Sequence, residues 1–492
     1  MIGLSNLLAP LAFLAAGVGI GDLLPTLRSR PLAPRIAIAY LLGLTAIGGG
    51  LYAGSHLFGL SLRRRNILVL ILLPIATAIL RRVLASRPPT PPRWKLLGPP
   101  VLVSCAALIG AFVSLAVLGE AATNPMADWD GRMIWGAHAR YIAAARSVDP
   151  DVFRESRWIV VHPQYPALLP DLQAASMELL DTEDERASRT LYAAFLPALL
   201  VIVYDAVRRS GGRRVAAAFA IVTATTPMFA LDNHGGAAGS YADLPLACFA
   251  GTGFLFLLGA RRSASAGLVA GLFLAAAVLT KNEGTPLAVI ALATAALRPF
   301  CSGRSGRTPT PWRLYGRPLA TAAIVTMAAI LFVQHWKLGI PNRIDEAYVS
   351  SFRLEALIHG MTERAGLLIP FMAQQMADRA TWGYFWAAVP ILLLAGFPAL
   401  RRGVVLLLAV FFVSNLCVYA AAYCVTPYDL TRIVGATWNR FLVQVALPLL
   451  ALLGACAGVA IRGRRPPRRS SEVASEADSL PDRSAQRLGS VV

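Results

Sequence analysis

Residues 264–297 read ASAGLVAGLFLAAAVLT, then KNEG at 281–284, then TPLAVIALATAAL. Two apolar blocks thus flank a short polar tip. Arg261–Arg262 precede the first block, and Arg298 follows the second. A membrane-crossing helix needs about 20 mainly apolar residues, and cytoplasmic loops carry an excess of Arg and Lys. The pattern therefore predicts a helical hairpin whose ends lie in the cytoplasm and whose charged tip lies near the opposite membrane face.

The composition of the whole chain agrees with a membrane protein. Of its 492 residues, 56% are hydrophobic and only 15% are charged, whereas a soluble domain averages about 25% charged residues. The net charge of +19 comes from 46 Lys and Arg against 27 Asp and Glu. Most Arg residues stand in short clusters between apolar blocks. We therefore interpret the basic character as a topology signal and predict no nucleic-acid partner.

Five Arg clusters orient the predicted spans, since each is expected in the cytoplasm. They lie at 208–214, 261–262, 298–317, 401–402 and 462–469. Ten apolar blocks then alternate across the membrane, at 98–120, 188–207, 215–231, 244–260, 264–280, 285–297, 318–336, 381–400, 403–422 and 441–461. The sequence therefore predicts outer loops at 121–187, 232–243, 281–284, 337–380 and 423–440.

The first 97 residues add apolar blocks near 4–24, 36–60 and 66–80. If all three cross the membrane, Arg63–Arg65 face outside against the positive-inside rule, and a half-helix is the alternative. We predict an all-α polytopic membrane protein of 12–13 transmembrane helices. Its parts are N-terminal transmembrane segments at 1–97, a main domain at 98–461, and a basic and then disordered cytoplasmic tail at 462–492.

Polar residues outside the Arg clusters concentrate in the predicted outer loops. The first and longest loop carries Asp128 and Asp130, and residues 131–146 read as a short amphipathic helix. The two acids are either solvated or helix-capping residues, or a general base or cation site. Two prolines in His162–Pro166 predict a stiff, non-helical segment.

The other outer loops bring further charged and aromatic side chains. They contribute Tyr241, Asp243, Lys281, Glu283, Asp429 and Arg440. A charge at membrane depth costs about 2.5–3.5 kcal/mol, so Lys281 and Glu283 are either functional or paired with each other. Arg440 either serves the site or snorkels to the interface. A carboxylate can deprotonate an acceptor hydroxyl, and a cation can stabilise a phosphate leaving group. The set suits a substrate with a lipid tail and a phosphate head.

The order of these motifs resembles the C-type glycosyltransferase superfamily, and within it bacterial membrane enzymes related to protein mannosyltransferases and lipid A sugar transferases. The resemblance spans about 98–460. It rests on Asp130-x4-Trp135, His162-Pro163-x-Tyr165-Pro166, Tyr241-Ala242-Asp243, Thr280-Lys281-Asn282-Glu283-Gly284 and Thr426-Pro427-Tyr428-Asp429. It implies the superfamily's helical bundle, with a long catalytic first loop that contains amphipathic helices. It also implies a polyprenyl-phosphate-linked sugar as donor and inverting transfer outside the cytoplasm of a multi-pass bacterial inner-membrane protein.

The resemblance also assigns expected roles. Asp130 is the expected base, assisted or replaced by Asp128. The expected donor-phosphate ligands are Lys281, Arg440, Arg132 and His162, and the expected substrate-binding residues are Tyr165, Tyr241, Asp243, Glu283 and Asp429. The acceptor is a glycan, a lipid or a protein in contact with membrane lipid. Some superfamily members use a divalent metal and others do not, so no metal ligand is assigned.

Two other functions fit parts of the pattern. A transporter or flippase of a lipid-linked or anionic substrate would also use charged groups in a membrane bundle, but it should place them near the bilayer midplane on broken helices. An envelope ligase that uses a lipid-diphosphate donor would share much of the site chemistry.

Overall fold

The computed structural model describes residues 2–84, 101–301, 312–341 and 351–463. Helices make up 83% of the structure, and the described residues contain no β-strand, which confirms the all-α prediction. Nearly all of the predicted tail at 462–492 lies outside the described residues.

Seventeen helices of at least ten residues are numbered in chain order among the described residues. They are α1 (Leu8–Leu23), α2 (Leu32–Phe58), α3 (Arg64–Leu84), α4 (Val101–Thr123), α5 (Gly136–Ala145), α6 (Leu168–Leu180), α7 (Phe195–Gly211), α8 (Arg213–Thr225), α9 (Asp243–Gly259), α10 (Ala264–Thr280), α11 (Gly284–Ala296), α12 (Trp312–Trp336), α13 (Leu354–Ala377), α14 (Phe385–Ala395), α15 (Gly403–Val425), α16 (Leu430–Gln444) and α17 (Ala446–Gly463). Shorter helical turns lie at Ile2–Ser5, Pro25–Arg28, Gly131–Trp135, Asp151–Arg154, Ser156–Val161, Arg186–Ala193, Pro227–Ala230, Arg298–Cys301, Arg379–Trp382 and Phe397–Arg401.

Seven helices in the described part of the chain are long and apolar enough to cross a membrane. They are Gly3–Leu23, Leu32–Phe58, Arg64–Leu84, Val101–Thr123, Arg186–Gly211, Leu314–Trp336 and Gly403–Val425. Helices α16 and α17 meet at a 58° bend and add an eighth if they form one broken span. Four shorter apolar helices, α9, α10, α11 and α14, would bring the number to 12, the lower of the predicted values, if each of them also crosses. The polytopic architecture is therefore confirmed, while the number of spans stays a prediction.

All three N-terminal apolar blocks form helices long and apolar enough to cross a membrane, which favours three spans over the half-helix alternative. The turn between the second and third blocks lies against the first outer loop. The backbone N–H of Leu62 donates to the carbonyl of Arg146 at 2.8 Å, and that of Arg64 donates to Glu178 Oε1 at 3.1 Å. The Arg63–Arg65 triplet therefore lies on the same side of the bundle as this loop.

Two segments predicted as outer loops contain long helices. Helix α13 occupies most of 337–380, and α16 occupies most of 423–440. Both mix charged residues with apolar residues at helical spacing, so their average hydropathy resembles that of a loop while one face can pack. In α16, Val434, Trp438 and Leu442 recur every four residues and are buried.

The bundle brings its polar loops together at one end, here called the site end. Helix α9 begins there at Asp243, and the tip of the α10–α11 hairpin reaches the same end. Gly284 makes that hairpin tight, because a Cβ at this position would lie 1.9 Å from the carbonyl oxygen of Ala277. The segments around Arg209, Arg262 and Arg462 lie at the other end, called the Arg end, since α7, α9 and α17 run towards it.

Candidate active site

Asp243 is the centre of a charged cluster at the site end. It is the first residue of α9, and it is fully buried. Its Oδ1 accepts hydrogen bonds from Lys281 Nζ at 2.9 Å and from Gln444 Nε2 at 2.6 Å. Its Oδ2 accepts a hydrogen bond from Arg440 Nε at 2.8 Å. A buried carboxylate is stable in a low-dielectric site only when it is paired and hydrogen-bonded, and Asp243 has three donors.

Arg440 extends this cluster to the first outer loop. Its Nη2 lies 2.7 Å from Asp130 Oδ2, so one guanidinium bridges Asp130 and Asp243. The guanidinium also lies 4.5 Å from the ring centre of Tyr241. An Arg cation over an aromatic face is attracted by the ring quadrupole. Arg440 is therefore paired inside the bundle rather than snorkelling to the interface, and it joins three segments that are far apart in sequence.

Lys281 extends the cluster on the other side. It immediately follows α10, and its side chain is 4% exposed. Besides Asp243, it contacts Glu283 Oε1 at 3.0 Å. Asn282, at the same tip, accepts a hydrogen bond from Lys337 Nζ at 2.7 Å. The predicted pairing of Lys281 with Glu283 is thus present, and Lys281 also pairs with Asp243, while a functional role for it stays a prediction.

We call this cluster the ion network. It consists of Asp130, Asp243, Glu283, Lys281 and Arg440. Three carboxylates face two cations, which leaves one uncompensated negative charge when all five are ionised. Both cations are therefore already paired with carboxylates. A phosphate can pair with them only when a carboxylate weakens its own ion pair.

Asp128 has a different environment from Asp130, although only one residue separates them. Its Oδ2 accepts the backbone N–H of Gly131 at 3.0 Å and that of Ser240 at 3.2 Å. Burial raises the pKa of the Asp128 carboxyl, and the hydrogen bonds act against that shift. A Cβ on Gly131 would lie 2.1 Å from Asp128 Oδ2, so the turn closes tightly around this carboxyl. Asp128 thus ties the first loop to the second, whereas Asp130 faces Arg440.

Three aromatic rings lie next to the ion network. Trp135 is fully buried and stacks on Tyr165 with ring centres 5.4 Å apart, and His162 stacks on the same Tyr165 at 5.2 Å. Trp135 and Tyr165 pack in one cluster with Ala242, the residue that precedes Asp243. His162–Pro166 is non-helical, as predicted, and His162 has a left-handed φ of 53°. The predicted residues His162 and Tyr165 therefore form a wall beside the network.

Tyr241 forms another side of the site, beneath Arg440. It is 4% exposed. Burial, with a contribution from the neighbouring Asp130, raises the pKa of Tyr241 to about 12. The phenol therefore keeps its proton at neutral pH and can serve as a hydrogen-bond donor.

Arg132 and Asp429 are two predicted site residues whose contacts, among the described residues, lie away from the ion network. Arg132 has an exposed side chain, and its carbonyl accepts a hydrogen bond from Arg140 Nη2 at 3.3 Å. Asp429 caps the start of α16, where its Oδ1 accepts the backbone N–H of Arg432 at 2.8 Å and the Thr431 hydroxyl at 2.8 Å. The structure therefore gives Asp429 a helix-capping contact.

Gln444 is a functional neighbour that the sequence prediction missed. Its Nε2 donates to Asp243, and its Oε1 accepts a hydrogen bond from Tyr419 at 2.8 Å. Gln444 lies four residues after Arg440 on α16, so both face the same way. A polar residue one helical turn beyond a charged one, inside an apolar block, was the signal that could have revealed it.

Another buried acid, Asp171, lies within the segment predicted as the first outer loop. Asp171 is fully buried, and neither of its carboxyl oxygens has a hydrogen-bond partner among the described residues. Burial raises the pKa of Asp171 well above its usual value, and nearby Asp149 adds to the shift. Asp149 itself accepts a hydrogen bond from Trp336 Nε1 at 3.2 Å and pairs with Arg154. Both the burial and the nearby Asp149 thus favour the protonated form of Asp171.

The described residues contain no group of three or more His, Cys, Asp and Glu side chains arranged to hold a metal ion. The question of a divalent metal, which the resemblance left open, thus receives no candidate ligand set from this part of the chain.

Comparison with known families agrees with the predicted family resemblance. Residues 164–336 match the model of the dolichyl-phosphate-mannose-protein mannosyltransferase family, which is of the C type. The matched segment contains Tyr165, Tyr241, Asp243, Lys281 and Glu283. No curated protein and no solved structure gives a significant match. The match confirms the predicted resemblance, and it indicates a multi-pass membrane protein similar to C-type glycosyltransferases.

Proposed function

We propose that the chain transfers a sugar from a polyprenyl-phosphate donor to a cell-envelope acceptor, with inversion at the anomeric carbon. The sugar is a hexose or a pentose, and the acceptor is a glycan, a lipid or a protein. The catalytic domain is 98–461, and the site faces outward from a bacterial inner membrane. The observation that carries the proposal is the ion network, which gathers charged groups from four distant segments at one end of the bundle.

The proposed reaction transfers one proton at this site and replaces the bond between sugar and phosphate with a bond between sugar and acceptor. The acceptor hydroxyl oxygen attacks the anomeric carbon, its proton passes to the Asp130 carboxylate, and the bond between that carbon and the phosphate oxygen breaks. The leaving polyprenyl phosphate gains one negative charge in this step. Asp130 is favoured over Asp128 as the base, because Asp128 is held by two backbone N–H groups while Asp130 faces the network.

The pairing of Arg440 couples the proton transfer to Asp130 with the departure of the polyprenyl phosphate. While Asp130 is ionised, Arg440 divides its charge between Asp130 and Asp243. When Asp130 takes the acceptor proton, its ion pair with Arg440 is lost at the moment the leaving phosphate gains charge. Arg440, with Lys281 beside it, is then available to stabilise that phosphate through charge-assisted hydrogen bonds. Tyr241, Tyr165 and Glu283 are close enough to orient the substrate.

The sidedness rests on the position of the Arg clusters. Cytoplasmic loops are enriched in Arg and Lys, and the clusters around Arg209, Arg262 and Arg462 lie at the Arg end. The ion network lies at the other end of the same helices. This arrangement supports an outward-facing site, and it disfavours a transporter, which would hold its charged groups near the midplane on broken helices.

A transfer assay tests the proposal. The purified protein is reconstituted in vesicles with a panel of polyprenyl-monophosphate hexoses and pentoses and an envelope acceptor extract, and both sugar transfer and free polyprenyl phosphate are measured. We expect Asp130→Asn to lower the rate by about 10²–10⁴-fold. The matched control is Asp151→Asn, the same change at an exposed position of the same loop.

Three outcomes would overturn the assignment. Full activity of Asp130→Asn at normal expression would remove the proposed base. Turnover with lipid-diphosphate donors alone would indicate the ligase, and movement of substrate across the vesicle without covalent turnover would indicate the transporter.

A further inference from the structure

A cavity of about 850 Å³ lies at the Arg end, far from the ion network. It is open on one side and is lined by the start of α2 and α15 and by the ends of α7, α9 and α17. Helix α9 connects the two regions, since Asp243 begins it and Gly259, at its other end, lines the cavity. At a rise of about 1.5 Å per residue, these two residues are about 24 Å apart. The cavity is thus separate from the proposed active site.

The cavity wall carries a surplus of positive charge. Four Arg side chains line it, Arg30, Arg209, Arg402 and Arg462, against one acid, Asp205. Asp205 contacts Arg30 Nη1 at 3.4 Å and also pairs with Arg209. One carboxylate thus serves two of the four cations. Burial, together with the neighbouring Arg209, lowers the pKa of Arg30 to about 10, as expected where cations crowd.

The two remaining cations are open to a ligand. Arg462 Nη2 donates to the carbonyl of Ser210 at 2.6 Å and is otherwise exposed. The exposed side chain of Arg402 has no hydrogen-bond or ion-pair partner among the described residues. Both lie at helix ends, where a head group at the membrane surface can reach them.

The walls become apolar towards the middle of the bundle. Val405 and Leu408 lie about one and two turns further along α15 than Arg402, and Ile202 lies about two turns before Arg209 on α7. The cavity therefore has a cationic mouth and a hydrocarbon interior. A free anion would use only the mouth, whereas a lipid would use both parts.

We propose that this cavity binds the phosphate head group of an anionic membrane lipid through Arg402 and Arg462, with the lipid chain against the apolar walls. Clusters of basic residues between transmembrane helices recognise anionic head groups by charge, and guanidinium groups bind phosphate in a bidentate geometry. The site is distinct from the donor site and does not depend on the proposed transferase activity.

Lipid binding to the full chain in a neutral detergent tests the proposal. Short-chain phosphatidylglycerol, phosphatidylcholine with the same chains, and inorganic phosphate are each titrated, and the shift of the thermal unfolding midpoint gives an apparent affinity. We expect stabilisation by phosphatidylglycerol alone. The double variant Arg402→Gln/Arg462→Gln should bind it about thirtyfold more weakly, because each Arg near the surface contributes about one factor of five to six.

The control variant Arg214→Gln/Arg401→Gln removes the same charge from exposed positions near the Arg end that do not line the cavity, and it should bind within about twofold of the parent chain. Equal weakening in both double variants would show general attraction to charge and would overturn the proposal. Inorganic phosphate reproducing the whole shift would identify a free-anion site and would overturn it as well. Mass spectrometry of the lipids that co-purify with each variant gives an independent reading, in which the cavity variant alone loses anionic lipid.

Discussion

Replacing Asp243 with Asn removes the one carboxylate among the described residues that both Lys281 and Arg440 contact. Breaking one partner out of a buried ion pair costs about 3–5 kcal/mol, because the remaining charge stays desolvated. Each cation keeps a second carboxylate, Glu283 for Lys281 and Asp130 for Arg440. We therefore expect the lower limit, a loss of about 3 kcal/mol in the free energy of unfolding.

A double-mutant cycle separates this electrostatic term from simple disruption. In Asp243→Asn/Lys281→Gln the cation stranded by the first change is also removed, so the double variant should be less destabilised than the sum of the single variants. Residues in direct contact typically show coupling energies of about 0.5–3 kcal/mol. The measurement is reversible unfolding in mixed detergent micelles, followed by helical circular dichroism.

The exposed pair of Glu155 and Arg157, 2.5 Å apart, provides the control cycle. Solvent screens that pair, and Glu155→Gln/Arg157→Gln should show no resolvable coupling. Additive effects of Asp243→Asn and Lys281→Gln would refute the reasoning, because additivity would mean that the two charges do not interact in the folded protein.

Three further predictions concern groups around the network. Asp171→Asn should stabilise the protein increasingly as the pH rises above about 4. Burial raises the folded-state pKa of Asp171, so the stability that this carboxyl contributes is lost as the pH rises towards that pKa. A difference in melting temperature between the variant and the parent chain that does not change with pH would contradict this. Burial lowers the pKa of His138 from 6.5 to about 4, so its contribution is present above pH 6.5 and is lost as the pH falls towards 4, by about 3 kcal/mol; His138→Gln should flatten the acid side of the unfolding profile. Gly131→Ala should cost about 1–3 kcal/mol in unfolding free energy because its Cβ would meet Asp128, while Gly119→Ala, with no atom within 4 Å of its Cβ, should cost nothing; equal melting temperatures for the two variants would argue against the tight turn.

The helices that could be predicted from the sequence are those with charged residues at both ends. Helix α10 covers 264–280 as predicted, because Arg261–Arg262 and Lys281 define its ends. Helix α16 was predicted as a loop, since Arg432, Asn439 and Arg440 lower its average hydropathy although its apolar residues share one face. Average hydropathy along the chain does not distinguish these two cases.

The site was predicted in outline but not in its contacts. The outer-loop assignment brought Asp130, Asp243, Lys281, Glu283 and Arg440 to one surface, and the structure places all five in one network. It did not predict that both cations are already paired, because pairing depends on side-chain directions that only the packed bundle fixes. Arg132 and Asp429 are polar residues of the same loops, and only the fold reveals that they point elsewhere.

The order in which the ribosome delivers these charges has a consequence for biogenesis. Asp243 and Lys281 emerge 38 positions apart and can neutralise each other while the nascent chain is still being inserted. Arg440 follows Asp243 by 197 positions. Asp130 and the Oδ2 atom of Asp243 therefore have no Arg440 to pair with until most of the chain has been synthesised. Until α16 arrives, three carboxylates of the ion network face one cation, Lys281, at the site end of the unfinished bundle. Truncations that end before Arg440 should therefore be degraded rather than retained as stable fragments.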